Sequence, residues 1–482
     1  MKSKSLKNNF ILNIVRVFFT SFVGLFTLPY LNKTLGVDKI GEFDYSLAIL
    51  NYFILFSALG MPMYAIREIS IYRDNSRLRT KTLIELIIIL LVTSVTSTLI
   101  FVFFIYYAFN NSSLFYILLP IILFTNLTMD WFYQGIEDQY YITVRNVVIK
   151  IISIACLFLF VKTREDLIVY AFIYSFTIII NSIVNILNLY KYIDIKEFDF
   201  KTLIFRKHIK GILIIFIGTV SISVYTQLSI TILGYYGDNF NVGLYTTANK
   251  LNRFALLGAT TLGAIMLPRL SSLYNEKKTE NYVYYLKKSF NYLNILSFFI
   301  FTFLYTNAKY IINIMAGNEF KESILLMRIL SFQIIFISLS YCFAFMILYP
   351  EGKEKKYTYI VTISSIISLI LSLIFVPKFF HVGTTIISLF TEFIGFLMMF
   401  LMLRKKLIEY QLVNVNFINY LICSSLSIFF NYIFLDELEN DFIGIILNTF
   451  SALIIFVGFL LIARDDLIVG VFKKIKKWMF QL

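Results

Sequence analysis

Three cations sit inside long apolar runs that carry almost no other charge: Arg16, Lys250 and Arg253. On a helix turning about 100° per residue, Arg16 shares one narrow arc with Asn13, Thr20, Gly24 and Thr27. Lys250 and Arg253 share another with Thr246, Asn249 and Thr260. Thr219, Ser223, Thr226 and Gln227 form a third, uncharged arc. A polar stripe on an apolar helix should face a bundle interior or water, because a charge in hydrocarbon is costly. The chemistry these groups suit is anion recognition. Guanidinium grips phosphate with paired hydrogen bonds, and ammonium acts as a point charge. Two cations one turn apart repel each other and call for an anion. Glu392 is one internal candidate, and the phosphate or diphosphate of a substrate is the other.

Each group has a blander explanation. Arg16 lies about 9 Å from the cytoplasmic end of its run at the helical rise, so its side chain can snorkel. Arg253 lies about 15 Å from the outer end, close to the midplane, where snorkelling is harder. Hydroxyls and amides also knit helices together without touching a substrate. Arg145 reads as interfacial; Lys150 and Arg328 stay open between the two explanations. The acids Asp44, Glu85 and Asp130 fall at the ends of apolar runs.

Bond-breaking chemistry finds little support. No paired carboxylates share a plausible site. Cys156, Cys342 and Cys423 lie singly inside apolar runs, as small buried residues. His208 and His381, the two histidines, stand near loops, and no metal-ligand spacing occurs. No cofactor is implied. Coupling to protons, to sodium ions or to the membrane potential is left open.

The elements that position these groups are membrane helices. The chain has 482 residues, of which 59% are hydrophobic and only 15% charged, against roughly 25% charged in soluble chains. Mean hydropathy is +0.78. Apolar windows of about 20 residues predict an all-α polytopic protein with about fourteen spans: 10–31, 43–65, 84–107, 114–133, 144–161, 167–189, 211–233, 243–268, 290–306, 322–349, 358–376, 382–403, 417–435 and 442–463. The fourth and fifth are least distinct, since 134–143 is only weakly polar. The first run is too long for a signal peptide and lacks a cleavage pattern.

With the N-terminus cytoplasmic, the inward segments hold about 30 lysines and arginines and the outward ones about 7. That is the imbalance of the positive-inside rule. It also assigns the net charge of +14 to loops facing anionic lipid, not to a nucleic-acid surface.

The two halves repeat. Residues 35–53, LGVDKIGEFDYSLAILNYF, match 236–254, YGDNFNVGLYTTANKLNRF, with Gly36 near Gly237, Gly41 on Gly243 and Phe43 on Tyr245. LGMPMYAIREISIYRD at 59–74 then matches LGAIMLPRLSSLYNE at 262–276. The offset of about 202 residues equals six spans, an even number, so the repeat is parallel. The expected organisation is an N-terminal lobe of helices one to six (1–205), a C-terminal lobe of helices seven to twelve (206–405), and two additional helices with a basic cytoplasmic tail (406–482). Such paired lobes are a transporter design, with substrate between them.

The opening sequence is similar to the O-antigen and capsule repeat-unit flippases, oligosaccharidyl-lipid flippases of the multidrug/oligosaccharidyl-lipid/polysaccharide exporter superfamily. The residues that carry the resemblance are Leu28-Pro29-Tyr30-Leu31, Leu35-Gly36, Gly41, and Leu59-Gly60 followed by Tyr64 and Arg67-Glu68. Gly243-Leu244-Tyr245 with Ala248-Asn249-Lys250 adds to it. The resemblance implies movement of an undecaprenyl-diphosphate-linked oligosaccharide from the cytoplasmic to the outer leaflet of the bacterial inner membrane, by alternating access. Arg16, Lys250 and Arg253 would meet the diphosphate. Asn13, Thr20, Thr219, Ser223, Thr226, Gln227, Thr246 and Asn249 would meet the sugars, and the lipid tail would stay in the bilayer. Membrane lipids, a polysaccharide polymerase and the chain-length machinery are the implied partners.

Three other readings compete. A lipid II flippase would share the fold and a cationic cavity. A cation-coupled multidrug exporter would want a carboxylate in the first helix, where this chain has Arg16. A membrane glycosyltransferase, polymerase or ligase would want a large outer loop or an acidic cluster; the longest outward segment here is about 15 residues, around 307–321.

The topology map has a direct test. A cysteine placed at Asn275, in the predicted cytoplasmic loop 269–289, should resist an impermeant thiol reagent in intact cells and react after permeabilisation. Labelling from outside would invert the map.

Overall fold

The structure, a computed structural model, describes residues 6–108, 112–193, 203–412, 415–434, 440–465 and 467–470, the side chains of 6–11, 14, 217–218, 221–225, 261–262, 264 and 415 excepted. Regular structure among them is helical throughout. Hydrocarbon offers no partner to a backbone amide, so each span must satisfy its own.

The first two spans lie in α1 (Leu6–Ala58), whose 53 residues would reach about 80 Å if straight, far beyond one crossing. The helix breaks at Gly36, with φ 77 and ψ 172, a conformation glycine adopts at little cost. A second break falls at Leu59 and Gly60, both with positive φ, and α2 (Met61–Ile71) follows. A Cβ on Gly60 would lie 2.9 Å from the backbone nitrogen of Phe216. After α3 (Ser76–Ala108), the fourth span is built from three pieces: α4 (Ser113–Leu118), α5 (Pro120–Leu127) and α6 (Asp130–Gly135). Pro120 opens the second piece, and Met129, with φ 49, separates the third. These breaks, with the short turn at 136–138, explain why the boundary between spans four and five is faint in the sequence. Then come α7 (Gln139–Phe160), α8 (Leu167–Leu189) and α9 (Arg206–Tyr236).

Next is α10 (Asn239–Asn275), capped by Asp238, which accepts from the Asn241 amide at 2.8 Å. It is followed by α11 (Thr279–Met315) and α12 (Ser323–Cys342), which runs into a π-helical turn at Phe343–Leu348. The 56-residue α13 (Glu354–Glu409) breaks at Phe380, φ 43. Finally come α14 (Val415–Phe434) and α15 (Asp441–Ile462). Eleven stretches among the described residues are long and apolar enough to cross a membrane. Two of these, Val15–Ile71 and Glu354–Glu409, hold two crossings each, and α9 adds one more. The architecture is that of a polytopic all-α membrane protein with about fourteen spans.

Packing divides the chain into Met1–Gly234 and Tyr235–Leu482. Within the first unit, α9 packs on the helices before it. Gly234 lies against the ring of Tyr45 and Gly211 against Tyr64. Thr231 Oγ1 reaches Tyr52 Oη at 3.4 Å. Inside the first unit, Phe43, Phe101, Phe115 and Leu118 fill one core and Met61, Trp131, Phe132 and Tyr133 another. In the second unit Tyr282, Phe298, Phe343 and Tyr420 belong to one core built from α10 to α15.

The start of α9 is fastened by charge as well as by packing. Glu85 of α3 and His208 of α9 are both fully buried. Glu85 Oε2 meets His208 Nε2 at 2.9 Å and Lys207 Nζ at 2.8 Å, while Oε1 accepts from the Ile204 amide at 2.8 Å. The other face of the imidazole meets Tyr64 Oη at 2.9 Å. Removing one partner from a buried pair leaves the rest uncompensated, at a cost of about 3–5 kcal/mol. Glu85→Ala should therefore lower the unfolding temperature of the purified protein markedly, by far more than Lys207→Ala, whose ammonium is partly exposed.

Candidate functional site

In the first unit the candidate residues gather around an aspartate. Arg16 leaves the α1 surface half-buried and donates from Nη2 to Asn13 Oδ1 at 2.8 Å. Its Nη1 lies 3.5 Å from Asp130 Oδ2. Asp130 Oδ1 accepts from Arg145 Nη2 at 2.8 Å and from Asn185 Nδ2 at 3.1 Å. Arg145 also donates to Asn146 Oδ1 at 2.8 Å, and its guanidinium sits 5.9 Å from the centre of the Tyr141 ring. Four elements, α1, α6, α7 and α8, thus meet at one carboxylate. Asp130 is placed there by the break at Met129, because α6 begins immediately after it. Asn185 fixes the same turn by donating to the carbonyl of Thr128.

Arg145 is buried in the protein, its side chain only 4% exposed. The ion pair with Asp130 makes that burial tolerable. Among the described residues the cluster holds two guanidinium groups and one carboxylate, so their net charge is positive. Thr20 is exposed, and its hydroxyl turns back to the Arg16 carbonyl at 2.8 Å.

The uncharged arc lies on α9. Thr219, Thr226 and Gln227 are half-buried, and the Thr219 hydroxyl donates to the Phe216 carbonyl at 2.9 Å. The side chain of Ser223 lies outside the described residues. In the second unit, α10 carries Thr246 buried, Asn249 half-buried, and Lys250 and Arg253 exposed. The cations thus sit at the edge of the arc, with Thr246 at its packed end. Glu392 is half-buried on α13.

The second unit also contains a cavity of about 800 Å³. Phe298, Phe301, Phe332, Phe336 and Phe417 form much of its wall, and Thr306, Asn431 and Asn448 make a polar patch. The guanidinium of Arg328, on the same wall, stacks 5.8 Å from the centre of the Tyr305 ring. Aromatic walls with few polar groups suit an apolar chain.

The sequence reading placed Asp130 and Glu85 at helix ends and so passed over both. The available signal was the pairing of unlike charges: Asp130 with Arg145 fifteen positions on, and Glu85 with the Lys207-His208 pair. Periodicity within one helix cannot reveal pairs made between helices.

The family model for "Polysaccharide biosynthesis protein" matches residues 6–274, more than half of the chain. A protein of Escherichia coli K12 named "Putative O-antigen transporter" is 24% identical over 386 residues, covering 79% of this chain and 92% of that protein. An uncharacterized membrane protein of Methanocaldococcus jannaschii is 25% identical over 474 residues, covering 89% of this chain and 90% of its own length. Among solved structures, the lipid II flippase MurJ in an inward closed conformation superposes with a TM-score of 0.69 at 17% identity, over 95% of this chain and 100% of that one. An outward-facing multidrug transporter of the MATE family superposes with a TM-score of 0.53 at 15% identity, over 83% and 94%. These two likenesses establish the fold.

Proposed function

The chain belongs to the polysaccharide biosynthesis protein family, and on that premise we propose that it is a flippase for an undecaprenyl-diphosphate-linked oligosaccharide. It carries the repeat unit from the cytoplasmic to the outer leaflet of the bacterial inner membrane by alternating access, for O-antigen or capsule assembly. Both termini face the cytoplasm. The observation that carries the substrate class is the cationic surplus around Arg16 in the first span. A diphosphate taken from water into a low-dielectric space needs countercharge. An organic cation would be repelled by the same groups.

Arg16 in the first unit and Lys250 and Arg253 in the second supply that countercharge. Asn13, Thr20, Thr219, Ser223, Thr226, Gln227, Thr246 and Asn249 supply hydrogen bonds to the sugars. Membrane lipids surround the protein, and the polymerase and chain-length machinery take up the product. The likeness to the lipid II flippase bears on the fold, and the family match favours the surface-polysaccharide branch for the substrate.

The test is complementation of a strain lacking its own repeat-unit flippase. Arg253→Ala should abolish surface polysaccharide at unchanged protein level. Arg253→Lys should retain part of it, since the charge survives and the planar fork is lost. Ile265→Ala, at an exposed position of the same helix, is the control. Normal polysaccharide from an Arg16/Lys250/Arg253 triple-alanine protein would rule out the cationic mechanism.

A further inference from the structure

The geometry around Asp130 points to an exchange of anions. We propose that Asp130 is an internal stand-in for the substrate's phosphates: it holds Arg16 and Arg145 ready and yields them to an incoming diphosphate. The inference rests on the flippase reading for the identity of the anion, and on the cluster alone for the exchange.

Three features lead to it. The first is charge. Among the described residues two guanidinium groups share one carboxylate, so Asp130 neutralises only one of the two. The second is unused donors. Among the described residues, Arg145 Nε and Nη1 and Arg16 Nε are buried and have no hydrogen-bond acceptor. A buried donor left unmade is costly, and a phosphate brings more acceptor oxygens than a carboxylate. The third is access. Arg145 is sealed, but Asp130 and Arg16 keep side-chain exposures of 28% and 17%. The contact to Arg16, at 3.5 Å, is looser than that to Arg145 at 2.8 Å. Arg16 is thus the arm that opens first, while Tyr141 and Asn146 keep the Arg145 guanidinium oriented.

The exchange avoids an expensive intermediate. Two bare guanidinium groups in this environment would be uncompensated buried charge. When a phosphate oxygen enters as the carboxylate swings away, the arginines are never without an anion. On release the carboxylate returns. Arg145 thereby becomes a substrate-binding residue, and Asp130 a competitor that limits how tightly substrate is held.

The charge count supplies a test. The full-length protein is purified into phosphatidylcholine nanodiscs, and inorganic pyrophosphate binding is measured by calorimetry at constant ionic strength. Wild type should bind. Asp130→Asn removes the competitor and should bind about tenfold more tightly, a change of one decade in Kd. Arg16→Gln leaves one guanidinium neutralised by one carboxylate and should lose binding. The double variant Arg16→Gln/Asp130→Asn restores the surplus and should regain it. That rescue has no counterpart in a purely structural ion pair, and it does not depend on the stability of Asp130→Asn alone. Arg145→Gln should lose binding in either background. Equal affinity of wild type and Asp130→Asn, with no regain in the double variant, would overturn the exchange. If adding phosphatidylglycerol to the nanodiscs abolishes pyrophosphate binding, the site belongs to a lipid head group, and the assignment to substrate fails. Complementation separates the parent reading: a wild-type protein that binds pyrophosphate in this pattern yet supports no surface polysaccharide would sink the flippase reading and leave the exchange standing.

Discussion

A charge carried into hydrocarbon is tolerable only when a group of opposite sign is already fixed beside it, and this constraint shapes two charged centres of the first unit. Glu85 has no solvent exposure, yet two cationic or titratable side chains and one backbone amide converge on it. Asp130 stands between two arginines from different helices. In each case the carboxylate belongs to one element and its partners to others. The pairs therefore do what apolar packing does poorly in lipid, where tails are as apolar as side chains: they specify which helix meets which. The centre at Glu85 joins α9 to α3 and, through His208, to Tyr64 of α2. That at Asp130 joins α1, α6, α7 and α8.

The two centres differ in balance, and the difference separates structure from function. Around Glu85 the acceptors are used and the donors supplied, in a site sealed from solvent apart from Lys207. Around Asp130, among the described residues, two guanidinium groups face one carboxylate, three guanidinium nitrogens have no acceptor, and part of the cluster is open. A fully satisfied buried network rigidifies a core; a partly satisfied one stores a demand that a ligand can meet.

The spans were legible because hydrophobic length is a one-dimensional property. Arginine and lysine asymmetry supports the orientation on the same basis. The breaks were less so. Gly36 and Gly60 are visible as glycines, but Leu59, Met129 and Phe380 take positive φ with ordinary side chains, and nothing in their identity announces it. The placement of α9 was hidden for another reason. Its small faces at Gly211 and Gly234 and its buried His208 meet Tyr64, Tyr45 and Glu85, partners more than a hundred residues away in the chain. In the site, Arg16 and its arc with Asn13 could be read from helical spacing, and the structure joins those two directly. Arg145 and Asp130 could not, because their partnership depends on a turn at 128–129 that brings a helix start beneath another helix.

Transport places a demand on a binding site that catalysis of a bond does not. A lumen of uncompensated cations would bind a diphosphate and keep it, because tight binding of one state deepens a well without lowering the barrier that follows. A carboxylate already seated on the arginines changes that balance. Binding then replaces one ion pair with another, and only the difference between them is gained. The same difference is all that release must supply. In the proposed exchange, the partly exposed Arg16 and the sealed Arg145 would divide the work: the first would admit the anion, and the second would hold its orientation with a planar fork that lysine could not provide. The cations of α10 are exposed on their helix face. A polyanion moving across the membrane on such groups meets a shallow profile, which is what repeated turnover requires.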